Sequence, residues 1–491
     1  MHSPSSLSIL LGALLLSLSS SARALPVQVH DDVDIDVPAG YLSRTVYDGD
    51  GVMVQVNWRN GVLAGLSDPT GQPGVLDVRT SHDQGATWNP IYFDLLDGVQ
   101  VVTGLSVDVA SGYSDPAADK RVYIGMMVGV PVLDKKVRFQ AGMVSGSYDQ
   151  PWNGAEFQAM RRPLPAPDFS LQAFLSQDMR FNTKVDVAVM PHVKASPYGV
   201  ALVAAQPLAL QPYGMGFETD IELGYSWDLG KSFSSERRWI AGNDPCENGE
   251  AELESFARSI EGTGHPSLAY DRNNERLVLA YHGKFKASAG PMDSVVVATV
   301  DPVRHEAGKS SFEGCYFGLE SNTGSKIEPQ RNPMVATDDN LIAFTCLAGH
   351  PQVVGTRGRA SSYKLRAFWG SFVYQPWQDA FFEVTDYYWM RRGFNDHAVS
   401  SADLELRGDK LHFTAMCVVD HNPVQPGMGI LQFTSEMTQP SESTRSLVND
   451  FPVSEVDARL FPTISITRGK GAPRNETVTY FSWNSGYKMD R

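Results

Sequence analysis

Two eight-residue stretches, Ser81-His-Asp-Gln-Gly-Ala-Thr-Trp88 and Ser226-Trp-Asp-Leu-Gly-Lys-Ser-Phe233, read on one template, S-x-D-x-G-x-[T/S]-[W/F]. On average residue usage, one chance match in a chain of this length has a probability on the order of one in a thousand. Two matches therefore argue for a repeated unit. Chemically the template is a turn. Gly85 and Gly230 are suited to the positive φ of a tight hairpin. Asp83 and Asp228 are expected to accept from backbone N–H groups two residues on, with Ser81 and Ser226 doing so more weakly. Trp88 and Phe233 then pack back onto the sheet. Such a turn shapes the fold and supplies no catalytic group.

Each turn ends a strand-like run, and a longer rhythm surrounds both. An apolar strand turns through a Gly/Asp/Asn cluster and returns as a second strand rich in Val, Leu, Tyr and Phe. This unit is read at residues 44–58, 101–128, 183–205, 265–282, 332–346, 397–417 and 461–483. Its starts are spaced by roughly 60 to 80 residues, against about 40–50 for a typical propeller blade. Most units are followed by a second strand pair, and the two turns sit there in the first and third. Ser147-Tyr-Asp149 is a reduced version in the second. The pattern predicts an all-β chain, a β-propeller of seven four-stranded antiparallel blades, or six if one hairpin is misassigned. Residues 27–37 alternate in strand fashion and would complete the last blade. Closing the ring leaves only short, protected sheet edges.

The beginning of the chain reads as a secretory signal over residues 1–24. Residues 7–18 are an apolar and small-residue run, and Ala22-Arg-Ala24 is a small-x-small cleavage site. That leaves 25–491 as a single domain, secreted and monomeric. A formal net charge of −15 argues against nucleic acid or an anionic membrane as a partner. The four cysteines, Cys246, Cys315, Cys346 and Cys417, show no zinc-like spacing. In an oxidising compartment Cys246 could pair with Cys315 and Cys346 with Cys417, the alternative for the latter two being buried thiols.

In a ring of blades, residues at the innermost strands converge although far apart in sequence. Here that set is rich in arginine: Arg44, Arg180, Arg331, the pair Arg391 and Arg392, and Arg459. A guanidinium fork matches a carboxylate, which suggests a pocket for an acidic oligo- or polysaccharide built from sialic acid or a uronate. The alternative is separate surface arginines paired with Glu328, Asp178, Asp386 or Asp457. His265 and His397 are read at matching places on the fourth and sixth inner strands.

The segment from Val75 to Trp88, together with the second turn, resembles the strand-plus-Asp-box segment of sialidases and their relatives. The resemblance implies a sialidase-like propeller. It also implies Arg44 as the first substrate-binding arginine, Arg59 as a second, and Asp68 as proton donor. Tyr480 or Tyr487 would be the nucleophile, activated by a glutamate such as Glu250, Glu252, Glu254 or Glu328. The chain reads Leu42-Ser-Arg-Thr-Val46 where the family opens with aromatic-Arg-Ile-Pro. Hydrolysis of an acidic glycoside needs a proton donor and a nucleophile or base, which Asp68, Glu254 and Tyr480 could supply. Lyase chemistry on a uronate would instead use His265 and His397 for proton transfer beside an arginine. A third reading is a binding propeller without chemistry, its aromatic loops stacking on sugars. No cofactor is expected, and a structural Ca²⁺ is the one metal considered, through residues 31–36 or Asp48-Gly-Asp-Gly51. Nucleotide, zincin and serine-hydrolase motifs are absent from the sequence.

Overall fold

The chain divides into two compact units, Met1–Val33 and Asp34–Arg491. The structure is a computed structural model. It describes the strands and helix named below and the short stretches 48, 51–52, 82–83, 85, 87–88, 118–120, 133–135, 148–157, 160, 167, 191, 227–234, 272–275, 301 and 307. All of these lie in the second unit. The proposed signal over 1–24 and the strand over 27–37 fall outside the described residues.

The described residues are almost wholly β. Strands β1 (Leu42–Tyr47), β2 (Met53–Arg59), β3 (Val75–Ser81) and β4 (Asn89–Asp94) form an antiparallel sheet in that order. The next holds β5 (Val101–Ala110), β6 (Arg121–Val132) and β7 (Lys136–Ser147), with the short β8 (Gln158–Ala159) and β9 (Asp168–Ser170) both pairing with β7. A third runs β10 (Val185–Met190), β11 (Gly199–Leu210), β12 (Phe217–Ser226) and β13 (Arg238–Ala241). In the fourth, β14 (Thr263–Asp271), β15 (Arg276–Ala287) and β16 (Gly290–Val300) lead through helix α1 (Pro302–Glu306) to β17 (Phe312–Phe317). Then come β18 (Gln330–Asp338), β19 (Leu341–Val354), β20 (Ala360–Val373) and β21 (Phe381–Trp389). They are followed by β22 (His397–Arg407), β23 (Lys410–Val419), β24 (Gly427–Glu436) and β25 (Gln439–Leu447). One pair, Tyr363↔Val399, joins these two groups. Strands β26 (Asp457–Arg468) and β27 (Thr477–Lys488) form a final pair. All seven hairpins expected from the sequence rhythm are thus present as antiparallel pairs.

The first strands follow one another around a closed succession of neighbours. β1 packs beside β5, β5 beside β10, β10 beside β14, β14 beside β18, β18 beside β22 and β22 beside β26, and β26 packs beside β1. The middle strands explain why. Side chains alternate across a strand, and here both faces are apolar. Leu277, Leu279 and Tyr281 of β15 pack with Ala201, Val203 and Ile221 of the third sheet. The intervening Val278 and Ala280 pack with Val335, Ile342 and Phe344 of β18 and β19. β11 does the same, with Val200, Leu202 and Ala204 against Tyr123, Met127 and Phe139 on one side, and Ala201, Val203 and Ala205 on the other. A strand buried on both faces reads as a continuous apolar run, which is how these strands appear in the sequence. Cys346 lies in the cluster with Val278 and Ala280, facing the preceding sheet, whereas Cys417 stands on β23, opposite Val399. Cys246 is outside the described residues.

Both S-x-D-x-G turns fold alike. Gly85 N–H donates to Ser81 Oγ at 2.7 Å, and Thr87 N–H and Oγ1 donate to Asp83 at 2.8 and 2.6 Å. In the second turn Gly230 N–H donates to Ser226 Oγ at 2.9 Å, and Ser232 N–H and Oγ donate to Asp228 at 2.9 and 2.6 Å. The aspartate therefore bridges four residues, not two. The third template position bonds back to the loop closing at the seventh, which explains why Thr or Ser is needed there. Hydrogen bonds from Thr87 pull the Asp83 carboxyl down to about 2. In the second sheet Asp149 N–H donates to Ser147 Oγ at 3.3 Å, a remnant of the same pattern.

Gly85 and Gly230 have φ of 90° and 78°. A Cβ on Gly85 would meet nothing nearer than 3.7 Å, whereas one on Gly230 would sit 2.9 Å from Ser145 Oγ. Gly85→Ala should therefore cost only backbone strain, on the order of 1–2 kcal/mol. Gly230→Ala should cost more, because it also pushes β7 away from the Ser145 Oγ–Leu229 carbonyl bond of 2.7 Å. Denaturant unfolding of the two variants side by side checks the order.

Candidate functional site

The first strands β1, β5, β10, β14, β18 and β22 line a cavity of about 320 Å³. Each pairs with its own second strand on one side only, so its outer N–H groups need other partners. Asp and Ser side chains supply them. Asp186 on β10 accepts from Ser106 Oγ of β5 at 2.6 Å and from Val187 N–H at 3.0 Å through one oxygen. Its other oxygen accepts from Leu268 N–H and Ser267 Oγ of β14, at 2.7 and 3.2 Å. Ser267 Oγ in turn accepts from Val335 N–H of β18 at 3.2 Å. Asp108 on β5 accepts from Val109 and Val189 N–H, both at 2.8 Å. Thr337 Oγ1 donates to the Tyr270 carbonyl at 3.0 Å.

Asp108 and Asp186 keep some surface on the cavity, yet desolvation dominates their titration. Burial pushes the Asp108 carboxyl up to about 6 against the pull of the Val189 and Val109 N–H groups. Burial likewise raises Asp186, against four hydrogen bonds that lower it. With two donors on each oxygen, Asp186 is a clasp between sheets and has no lone pair to spare for proton transfer.

Arg44 on β1 lines the cavity, together with Thr45 and, across from them, Glu405 of β22. Thr45 Oγ1 is buried with no hydrogen-bond partner among the described residues. Arg331 lies on β18 opposite Leu347, and Arg459 lies on β26 where the register shifts between Ala458 and Leu460. Tyr480 stands on β27 opposite Ser465, and Tyr487 opposite Ala458. Arg59 ends β2 opposite Val75. Asp68, Glu254, Arg180, Arg391 and Arg392 lie outside the described residues.

His265 is buried, 2% exposed, and stacks on His282 with ring centroids 4.7 Å apart. Its backbone is left-handed at φ 50°, and the register of β14 slips there, between Gly264 and Ser267. His397 opens β22 opposite Val419, and the slip in that strand falls three residues later, between Val399 and Ser401. His397 therefore does not stand at the slip, as His265 does. Asp48 of the proposed Ca²⁺ loop accepts from Gly51 and Val52 N–H at 3.0 and 2.9 Å, and from Tyr148 Oη at 2.9 Å. Among the described residues no group of three or more His, Cys, Asp or Glu could hold a metal ion, and no helix is long and apolar enough to cross a membrane.

No family model and no curated protein matches the sequence. Among solved structures, the α-L-arabinofuranosidase of Fusarium graminearum, in complex with an iminosugar inhibitor, is 12% identical with a TM-score of 0.42. That likeness covers 85% of this chain and 97% of the other. The α-L-arabinanase of Penicillium chrysogenum, complexed with arabinobiose, is 10% identical with a TM-score of 0.41, over 82% of this chain and 94% of the other. Trypanosoma rangeli sialidase, complexed with 2,3-difluorosialic acid, is 14% identical with a TM-score of 0.35 over 80% of this chain; the match spans about half, 54%, of the sialidase chain.

Proposed function

We propose that the chain is a secreted, seven-bladed β-propeller of the sialidase-like Asp-box type that hydrolyses glycosidic bonds of an acidic sugar. The seven first strands in closed succession and the two turns of identical bonding support the blade count and the Asp-box assignment. The observation that carries the functional reading is the position of Arg44. It puts an arginine on the wall of the cavity between the first strands of a chain whose net charge is −15. A site that holds a carboxylate needs such a fork, and Arg180, Arg331, Arg391, Arg392 and Arg459 are the further candidates around it. Asp68 is proposed as the proton donor and Tyr480, activated by Glu254, as the nucleophile. Asp108 and Asp186, whose oxygens already serve backbone N–H groups, take no part in proton transfer.

Incubation of the purified protein with sialylated and uronic-acid-containing glycans tests this, followed through new reducing ends and through absorbance of an unsaturated product. Reducing ends alone are expected. Absorbance would mean elimination, and silence on both with retention on the glycans would mean a binding module. Once an acidic substrate is found, Arg44→Ala should lower kcat/KM on it by about 10- to 100-fold, the worth of one charge-assisted hydrogen-bond pair. Cleavage of the matched neutral glycoside should fall far less.

A further inference from the structure

The connection between β7 and β8, residues 148–157, is held at both ends and bare in the middle. At its start the Trp152 ring lies against Gly146 of β7, where a Cβ would collide with it, and packs on Tyr92 of β4 with ring centroids 4.6 Å apart. Trp152 N–H donates to the Ile91 carbonyl at 2.9 Å. At its end the Phe157 ring lies against Gly142 of β7 in the same way. Both aromatics pack on the core shared by the first and second sheets. Between these anchors run Asn153-Gly-Ala-Glu156, of which Asn153, Gly154 and Glu156 are exposed. Ala155 reaches inward, its carbonyl 3.3 Å from Tyr92 Oη.

Asn-Gly occurs three times in the chain, at 60–61, 153–154 and 248–249, and the first and last lie outside the described residues. Gly154 has φ of 98°, and a Cβ there would meet nothing within 4 Å. Backbone conformation, and not space, therefore calls for the glycine. It leaves the Gly154 nitrogen unscreened by any side chain, and among the described residues no backbone carbonyl accepts from its N–H. Asn57, Asn89 and Asn274 lack this combination. Asn57 is buried and precedes Trp58, Asn89 precedes Pro90, which has no N–H, and Asn274 Nδ2 donates to Asp271 at 2.7 Å.

We propose that Asn153 is a site of spontaneous deamidation, in a residue type that is chemically labile. The Gly154 nitrogen gives up its proton to solvent base and attacks Asn153 Cγ. The N–Cγ bond forms, the Cγ–Nδ2 bond breaks, and Nδ2 leaves as ammonia. Water then opens the cyclic imide. Opening at Cγ gives aspartate. Opening at the main-chain carbonyl gives isoaspartate, in which the main chain runs through Cβ and Cγ. One water enters, one ammonia leaves, and nothing is oxidised or reduced. Isoaspartate adds an atom to the main chain between two anchors wedged on the same strand. The extra length must be taken up where the loop meets β4, at Trp152 N–H and the Ala155 carbonyl. The modification thus loosens the second sheet from the edge strand of the first, and it is independent of the carbohydrate reading.

Ageing the full chain in mildly alkaline buffer, followed by peptide mapping by mass, tests the site. The peptide carrying Asn153 should gain the mass of OH in place of NH2, become a substrate for isoaspartyl methylation, and do so faster as pH rises. Its rate in the folded chain should stay within about tenfold of its rate in urea, whereas a fold that held the nitrogen away from Cγ would slow it by about 100-fold or more. Such slowing, or a peptide that stays unmodified while Asn153→Gln behaves identically, would overturn the proposal. Hydrogen exchange at the Trp152 amide tests the consequence. Aged protein should lose protection there, and Asn153→Asp, which carries the charge without the added main-chain atom, should keep it. Equal protection in aged and fresh protein would overturn the loosening, and equal loss in Asn153→Asp would assign it to charge and overturn the main-chain cause.

Discussion

Asp186→Ala is expected to destabilise the protein more than any other single truncation among the described residues, by on the order of 4–6 kcal/mol. The carboxylate gathers Ser106 Oγ, Val187 N–H, Leu268 N–H and Ser267 Oγ from three neighbouring first strands. Alanine removes every acceptor at once. Each buried donor left unmade costs roughly 1–3 kcal/mol; Val187 N–H keeps its longer bond to Ser106 Oγ at 3.3 Å, while Leu268 N–H loses the carboxylate it serves. Asp186→Asn separates the two components. Its amide keeps one acceptor oxygen for two of the donors but presents its own N–H groups to the other two, so a loss of about half the alanine value is expected. Urea unfolding of the three proteins gives the order. A loss under about 1 kcal/mol for Asp186→Ala would mean that water replaces the carboxylate and that the clasp is dispensable. Ser106→Ala, whose lost partner Val187 N–H keeps its bond to Asp186, should cost about 1 kcal/mol, and Ser267→Ala, which also leaves Val335 N–H without its acceptor, about 2 kcal/mol.

How much of this was legible in the sequence depends on how far each feature reaches. The seven hairpins were legible because alternation and turn chemistry are local. The residue types of the S-x-D-x-G turns were legible too, but their bonding was placed two residues too short. An aspartate side chain reaches over the glycine to Thr87 or Ser232, which only the folded turn displays. Asp186 went unread although it interrupts Val185-Asp-Val-Ala-Val189, an otherwise apolar strand. A lone carboxylate there signals a buried partner, but its partners Ser106 and Leu268 lie about 80 residues away on either side. The register slips of β14, β18 and β26 were half legible. His265 was singled out, while the proline that follows it, Pro266, and the matching Pro333 and Pro462, were not used. That omission put His397 at the slip of its strand, which in fact falls between Val399 and Ser401. Of the arginine set, Arg44 lines the cavity, because mid-strand positions of a first strand face it whatever the loops do. Asp68 and Glu254 lie in stretches whose sequence carries no strand pattern to place them.

Stability should rise on mild acidification, against the usual behaviour of an acidic protein. Asp108 is raised by burial from its ordinary 3.8 to about 6, so the folded state holds its proton over a range where the unfolded chain has released it. Wherever the folded state binds more protons, stability falls as pH rises. The stabilisation is therefore fully present below about 3.8, declines between about 4 and 6, and is gone above. At 1.36 kcal/mol for each tenfold difference in proton affinity, the span is worth up to about 3 kcal/mol, and water in the cavity will reduce it. Asp186 is raised in the same sense and adds to the slope. Asp83 works the other way: held down to about 2 by Thr87, it loses its contribution as pH falls from about 4 toward 2. The two together put the stability maximum near pH 4. Denaturation midpoints measured from pH 3 to pH 8 should show that maximum, and Asp108→Asn should flatten the slope between pH 4 and 6 while lowering the whole curve. A wild-type curve flat across that interval would mean that the cavity is wet enough to solvate both carboxylates, and that the clasps between the first strands carry their charge at no cost.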